Sequence, residues 1–365
     1  MKHSNSTFSI AGRPIGPSYP PYIIAEMSAN HNNDINRAYK IIEEAKNAGA
    51  DAVKLQTYTA DTITLDCSNE DFQIKEGLWK GQTLHQLYSQ AHMPWDWHKP
   101  LFKYAHDIGI TIFSSPFDES AVDLLEDLGA PAYKIASFEA VDLRLIDYVA
   151  RTGKPMIIST GMASEIEIRE AVETARAGGC SQLALLQCVS SYPAVSKDYN
   201  LSCIPDMKNR FETVVGLSDH TIDNTCAIAS IVFGGSIIEK HFTLNRNGGG
   251  ADDSFSLEPS DMKILCKSSK AAWESIGKPD YGLRISESGS VMHRRSLYFT
   301  KSLIKGETIK SDDIRSVRPG FGLPTKMLDS IVGSQVTRNV SYGDPVRLSD
   351  INVKIDSNEV NPKHS

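Results

Sequence analysis

Eight short apolar runs, each followed by a stretch with helical periodicity, constrain this chain more than any other feature. They lie at 22–29, 51–56, 111–117, 132–137, 155–160, 183–189, 214–219 and 236–242. All are rich in Ile, Val, Leu and Phe without strict apolar–polar alternation, the pattern of parallel strands covered on both faces. The intervening segments carry helix punctuation. Residues 36–48 place apolar side chains at helical spacing and stop at Gly49, while 120–128 stops at Gly129 and 142–152 at Gly153. Residues 164–177 open on Ser-Glu-Ile-Glu, close to a capping box, and end at Gly178-Gly179. Eight strands alternating with helices predict an α/β fold, a closed (β/α)8 TIM barrel. An open doubly wound sheet is the competing arrangement; the count of eight and the lack of a GxGxxG after the first strand favour the barrel.

The chain's 365 residues exceed one barrel by a small appendage. We expect a barrel with an N-terminal arm over 1–280, a linker over 281–290 marked by Ser-Glu-Ser-Gly-Ser, a small β-like domain over 291–353 and a disordered polar tail over 354–365. The small domain holds a near-repeat, KGETIKSDDI at 305–314 and YGDPVRLSDI at 342–351, which predicts pseudo-symmetry. One insertion, 57–93, is too long for an ordinary βα loop; its Phe72, Trp79 and Tyr88, expected at the surface, suit a substrate-facing lid. A net charge of -7 without a basic block argues against nucleic acid as a partner. There is no apolar run long enough for a membrane span and no signal-like N-terminus, so the expected location is the cytoplasm. Six scattered cysteines with no CxxC pair read as free thiols.

In a parallel barrel the strand C-termini converge on one mouth, where such folds do chemistry. Here those ends supply Glu26, Lys54, Gln56, Ser115, Lys134, Ser137, Glu139, Ser159, Gln187, Ser190, Tyr192, Ser218, Asp219, His220, Glu239 and His241. Buried without partners, such groups would cost about 1–3 kcal/mol each. His220 and His241 end sequential strands. Either alone reads as a hydrogen-bonded histidine; together they read as ligands for one divalent ion, with Asp219 and Glu239 orienting them or else capping helices or forming salt bridges. A lysine inside an apolar strand needs an anion. Lys54 fits an internal ion pair equally well; Lys134 with the serine hydroxyls suits a phosphate or carboxylate. The loop 247–253 ends in Asp252 and Asp253, and Arg318 lies in a Pro-Gly turn of the small domain.

These segments, read together, resemble the sialic acid synthase family: IAEMSANHN (24–32), AVKLQ (52–56), SSPFD (114–118), YKIAS (133–137), ISTGM (158–162), GLSDHT (216–221) and EKHFT (239–243), then GADDSFSLEP and VRPGFG. The resemblance spans nearly the whole chain. It implies a barrel followed by an antifreeze-like (SAF) domain, and condensation of phosphoenolpyruvate with an amino-sugar aldehyde to a nine-carbon keto acid and phosphate. It implies a divalent metal, Mn²⁺ with Mg²⁺ or Co²⁺ as substitutes, and a domain-swapped homodimer. Carried over by position, His220 and His241 bind the metal. Lys134, Ser115, Ser137, Ser159, Ser190 and Ser218 contact phosphoenolpyruvate. Glu26, Gln56, Tyr192 and Asp252 contact the sugar, with Arg318 reaching in from the partner chain.

Two departures point to a branch. Ser28-Ala-Asn-His-Asn32 replaces the glycine-flanked motif common in N-acetylneuraminate enzymes, and Val189-Ser190 replaces their Thr-Asn, leaving Ser190 and Ser191 as alternative contacts. Residues 77–98 and SSYPA at 190–194 resemble the pseudaminic acid synthases. The implied acceptor is 2,4-diacetamido-2,4,6-trideoxy-L-altrose and the implied product serves flagellin or surface glycans. Glu139 is the candidate for activating water and Glu26 for handling the sugar's protons. The rival activities are N-acetylneuraminate or legionaminate synthesis and, from another class, non-catalytic carbohydrate or ice binding by the small domain.

Overall fold

A computed structural model describes residues 8–77 and 79–352, so the expected tail lies outside the described residues. All eight apolar runs form strands: β1 (Tyr22–Glu26), β2 (Ala52–Thr57), β3 (Thr111–Pro116), β4 (Tyr133–Ile135), β5 (Met156–Ser159), β6 (Leu183–Cys188), β7 (Val214–Asp219) and β8 (Ile237–His241). They pair in parallel in chain order, and β8 closes on β1. The barrel predicted from the alternation is the fold observed. Most strands are shorter than their apolar runs. The first stops at Glu26 because the chain turns sharply there, with Ser28 at φ 47°.

The helices follow their punctuation. Ile35–Ala48 ends on Gly49 at φ 96°, a left-handed cap that other residues resist. Glu165–Ala177 starts from Ser164, whose hydroxyl and the Glu167 carboxylate form the reciprocal capping box, a cap typically worth about 1 kcal/mol.

Two apolar layers explain the absence of alternation. One lies between strands and helices, formed by residues such as Ile23, Val53, Leu185 and Ile238. The other fills the lower barrel with Tyr22, Ile24, Ala52, Phe113, Ala132, Ile157, Leu186, Val214 and Ile237. A hairpin of Phe8–Ile10 and Arg13–Ile15 plugs that end, burying Ile10 and Ile15 fully in the same cluster. Each such side chain removes enough apolar surface from water to contribute about 1.5–3 kcal/mol.

The chain divides into two compact units after Gly277. In the second, the expected linker is not simply irregular: Ile285–His293 forms a 3-10 run. Local bonds hold it, Arg284 N–H donating to Glu287 Oε2 (3.0 Å) and Ser288 Oγ to Ile285 O (2.7 Å). The near-repeat folds twice into the same device. Asp313 accepts from Lys310 N (2.8 Å) and pairs with Lys301 (2.6 Å), while Asp350 accepts from Arg347 N (3.1 Å) and pairs with Arg338 (2.7 Å). Both carboxylates are buried. An apolar cluster including Leu297, Phe299, Val336, Val346 and Ile351 backs them.

Candidate active site

The strand period of two decides which side chains enter the mouth. Two residues beyond the interior Ile24, Ala52, Phe113, Ala132, Ile157, Leu186 and Ile237 stand Glu26, Lys54, Ser115, Lys134, Ser159, Cys188 and Glu239. Gly216 fits this pattern on β7. A Cβ there would come within 2.8 Å of Leu186 Cδ2 and closer still to the Ile237 carbonyl, so the crowded interior admits only glycine; Ser218 and His220 follow it. One further step places Gln56 and His241 at the rim. Register ties the set sideways, His241 opposite Glu26, Glu26 opposite Lys54 and Ser218 opposite Glu239.

The result is a buried charge cluster. Lys54 Nζ lies 3.0 Å from Glu26 Oε2, 3.4 Å from Glu239 Oε1 and 3.1 Å from Ser115 Oγ. Lys134 Nζ shares the same Glu239 oxygen at 3.8 Å and donates to the Ile135 carbonyl (3.1 Å). Gln56 Nε2 donates to Glu26 Oε1 (2.9 Å), and Ser218 Oγ to Glu239 (3.4 Å). Burial depresses the Lys134 ammonium. Burial opposes the charge on Lys54 too, but Glu239 and Glu26 outweigh it and raise that lysine. Burial, with Glu239 adding to it, pushes Glu26 up to about 7. Glu139, in the 3-10 turn after β4, is also pushed up to about 7 by burial, and its Oε2 has no hydrogen-bond partner among the described residues.

Beside this cluster lies a pocket of hydroxyls. Ser137 Oγ accepts from Gly161 N–H (3.2 Å). A Cβ on Gly161 would sit 2.8 Å from that oxygen and closer still to Ser190 Oγ, so glycine lets the chain approach both. The hydroxyls of Ser159 and Ser190 are shielded and unpartnered among the described residues. Ser191 is exposed and turned to the Pro193 carbonyl (3.1 Å), so the geometry joins Ser190, not Ser191, to this group.

The imidazoles of His220 and His241 have centroids 5.3 Å apart. His220 Nδ1 meets the Val189 carbonyl at 2.7 Å, fixing the proton there and leaving Nε2 as a lone pair. His241 Nδ1 is buried with no hydrogen-bond partner, 3.7 Å from Asp252 Oδ2; burial and the His220 charge hold its pKa well below the usual range. Burial disfavours the charge on His220, but Cys188 and the Val189 carbonyl outweigh it and raise its pKa, so a divalent ion between the two rings would have to displace the proton that carries that charge. No group of three His, Cys, Asp or Glu is gathered for one among the described residues, so its other positions would fall to substrate or water. Tyr192 covers the pair, 4.4 Å from His220 and 5.9 Å from His241. Asp252 accepts from Ser28 Oγ, whereas Asp253 turns away to pair with Arg37 (3.2 Å).

Several expectations need correction. Asp219 does not orient a histidine: it faces outward and pairs with Lys240 (3.0 Å). Glu239 joins the two lysines instead. Gln187 points outward too, donating to the Tyr199 carbonyl (3.0 Å). Phe72, Trp79 and Tyr88 are half-buried rather than surface residues, because the insertion folds back on aromatic neighbours. Arg318 lies in the second unit, as expected, and is exposed there. Two contributors escaped the sequence reading. Cys188 Sγ lies 4.0 Å from His220 Nδ1, and Gly161 sits among the serines. Counting in steps of two from the interior apolar layer would have found Cys188.

A NeuB family model matches residues 41–281, and a SAF domain model matches 294–352. The chain belongs to the NeuB family. Among its relatives, a pseudaminic acid synthase of Helicobacter pylori is 39% identical over 335 residues, 91% of this chain and 98% of that protein. Another, of Campylobacter jejuni, is 38% identical over 90% of this chain and 96% of its own length. The crystal structure of an N-acetylneuraminic acid synthetase from Leptospira borgpetersenii, in complex with citrate, superposes with a TM-score of 0.70 at 30% identity, covering 79% of this chain and 95% of that one. This NeuB-family chain is thus an enzyme of the sialic acid synthase type, a barrel with a C-terminal SAF domain.

Proposed function

We propose that this NeuB-family chain is a pseudaminic acid synthase, joining phosphoenolpyruvate to 2,4-diacetamido-2,4,6-trideoxy-L-altrose with release of phosphate. The observation that carries this is the pairing, within one mouth, of a cationic hydroxyl pocket with two adjacent imidazoles. An enol phosphate with a carboxylate is the anion such a pocket fits. An aldehyde oxygen is what a Lewis acid beside it would polarise. The pseudaminic acid synthases among the relatives select the acceptor.

In this reading Lys134, Lys54 and the hydroxyls of Ser115, Ser137, Ser159, Ser190 and Ser218 hold the phosphate and carboxylate, fixing C3 toward the aldehyde carbon. A divalent ion held by His220 and His241, Mn²⁺ with Mg²⁺ or Co²⁺ as substitutes, supplies electrophilic activation of the aldehyde. C3 attacks that carbon, whose oxygen takes a proton from Glu26 to become the new hydroxyl; water adds at C2, and phosphate leaves by C–O cleavage. Glu139, half-buried and ionising near neutrality, takes the proton of that water. Glu26 and Gln56 hold one side of the sugar, Tyr192 and Asp252 the other. Arg318 comes from a partner chain in a swapped homodimer, a placement resting on family resemblance. No described helix is long and apolar enough to cross a membrane, as suits a cytoplasmic enzyme.

The test is phosphate release from phosphoenolpyruvate and Mn²⁺ with each of three acceptors: the diacetamido-trideoxy-altrose, the legionaminate precursor and N-acetylmannosamine. Preference for the first is expected. Preference for either other sugar replaces the acceptor assignment, and no release with any overturns the activity. Loss on chelation, restored by Mn²⁺, is expected; chelator-insensitive turnover removes the metal from the scheme.

A further inference from the structure

The insertion after β2 carries a narrow loop in which two side-chain atoms lack hydrogen-bond partners among the described residues. Ile74 N–H donates to the Gln82 carbonyl (2.9 Å), Gly81 N–H to the Ile74 carbonyl (2.9 Å), and Gln73 bridges Thr83. Gly77 (φ 81°) and Gly81 (φ 92°) supply left-handed turns at either side of the tip. Between them Trp79 is placed against Tyr192, ring centroids 6.4 Å apart. Tyr192 in turn covers both imidazoles. Trp79 is therefore one ring beyond the point where the aldehyde carbon reacts.

Two atoms of this tip are shielded from water with no hydrogen-bond partner among the described residues: Trp79 Nε1 and Gln82 Oε1. A buried tryptophan N–H normally finds an acceptor. A free donor and a free acceptor on the same loop are the two kinds of group that a secondary amide, with its C=O and N–H, would satisfy. The indole face beside them suits a methyl group better than a hydroxymethyl.

We propose that Trp79, seconded by Gln82, is the acceptor-specificity element of this enzyme, reading the distal acetamido group and the terminal methyl of the amino sugar. This rests on the proposed function and deepens it. The insertion is then not only a cover but the part of the chain that distinguishes a diacetamido, 6-deoxy acceptor from one carrying hydroxyls.

The experiment measures kcat and KM for the diacetamido-trideoxy-altrose and for N-acetylmannosamine, and KM for phosphoenolpyruvate, in the native enzyme, Trp79→Phe and Trp79→Ala. Trp79→Ala should lower kcat/KM for the diacetamido acceptor about tenfold to a hundredfold, mainly through KM. Any turnover of N-acetylmannosamine and the KM for phosphoenolpyruvate should stay within about twofold, since neither depends on the lost contacts. Trp79→Phe, which keeps a ring but drops the N–H, should fall between. An acceptor ratio unchanged by Trp79→Ala overturns the inference alone, as does a rise in KM for phosphoenolpyruvate in step with the acceptor, which would mark damage to the mouth. A native enzyme that fails to turn over the diacetamido sugar overturns the proposed function, and this inference with it.

Discussion

Two lysine clusters stand on opposite faces of the same barrel wall, set by neighbouring residues of β8. Lys240 points outward. Its ammonium meets Asp219 Oδ2 (3.0 Å), the Thr221 carbonyl (2.7 Å) and the Asp223 carbonyl (2.6 Å), all its donors satisfied. One residue earlier, Glu239 points inward and shares a single oxygen between Lys54 and Lys134. Around that pair Ser159, Ser190 and Glu139 keep polar atoms unpartnered. Both clusters are buried and built from the same residue types. What separates them is completeness: the outer one has every bond it needs, and the inner one keeps polar atoms without partners among the described residues, which fits the anion site proposed above.

Breaking each cluster should therefore cost a different quantity. Lys240→Met leaves Asp219 buried and uncompensated, and loss of one partner of such a pair costs about 3–5 kcal/mol of stability. Denaturant unfolding should show that fall, with turnover per folded molecule near native. Lys134→Met should do the reverse. Burial already disfavours this ammonium, and Lys54 remains to neutralise Glu239, so stability should hold or rise. Turnover should drop about a hundredfold to a thousandfold, the loss expected when an anion's main cation is removed from a dry site. If Lys134→Met unfolds the protein instead, the inner cluster is structural and the contrast fails.

Why the sequence shows the strands but not their facing follows from the same wall. A parallel strand covered on both sides carries apolar residues at every position, so period-two information is absent from most of its length. Ile237 and Ile238 look alike in the sequence, yet one fills the barrel and the other packs under a helix. The polar residues that follow inherit the ambiguity. Glu239 and Lys240, or Ser218 and Asp219, were legible as strand-end groups, but only packing shows which enters the mouth. The choice left open for Asp219, between orienting a histidine and forming a salt bridge, could not be made for that reason, and Cys188 was passed over because a thiol in an apolar run reads as core. His220 and His241 were legible because both lie past the ambiguous stretch. The lack of a hydrogen-bond partner for Trp79 Nε1 among the described residues has no sequence signal at all, since it depends on what a loop fails to touch.

Glu139 gives the next smaller effect and a pH signature. Burial holds its carboxyl near 7, so about half is protonated at neutrality. A base must be ionised to accept a proton. Turnover should therefore fall as pH drops below about 7 and level off above it, approaching tenfold per unit well on the acid side. Glu139→Gln should lower kcat about a hundredfold and erase that limb while leaving KM for phosphoenolpyruvate nearly unchanged. An intact acid limb in the variant assigns it to another group, and unchanged turnover removes Glu139 from the chemistry.

Ser190→Ala should give the smallest change and the finest test of incompleteness. Its hydroxyl has no partner among the described residues, so removing it forfeits no internal bond. Stability should be unchanged or slightly higher, because a shielded, unsatisfied hydroxyl is itself a cost. If the hydroxyl serves a bound anion, KM for phosphoenolpyruvate should rise about tenfold, the weight of one hydrogen bond to a charged group. Ser191→Ala, at an exposed side chain already bonded to Pro193, should change neither quantity. The same rise in both variants would mean the Ser190–Ser191 turn acts as a unit. A rise with Ser191→Ala alone would mean that the turn rearranges when the anion binds and that the exchange left open by the sequence resolves the other way.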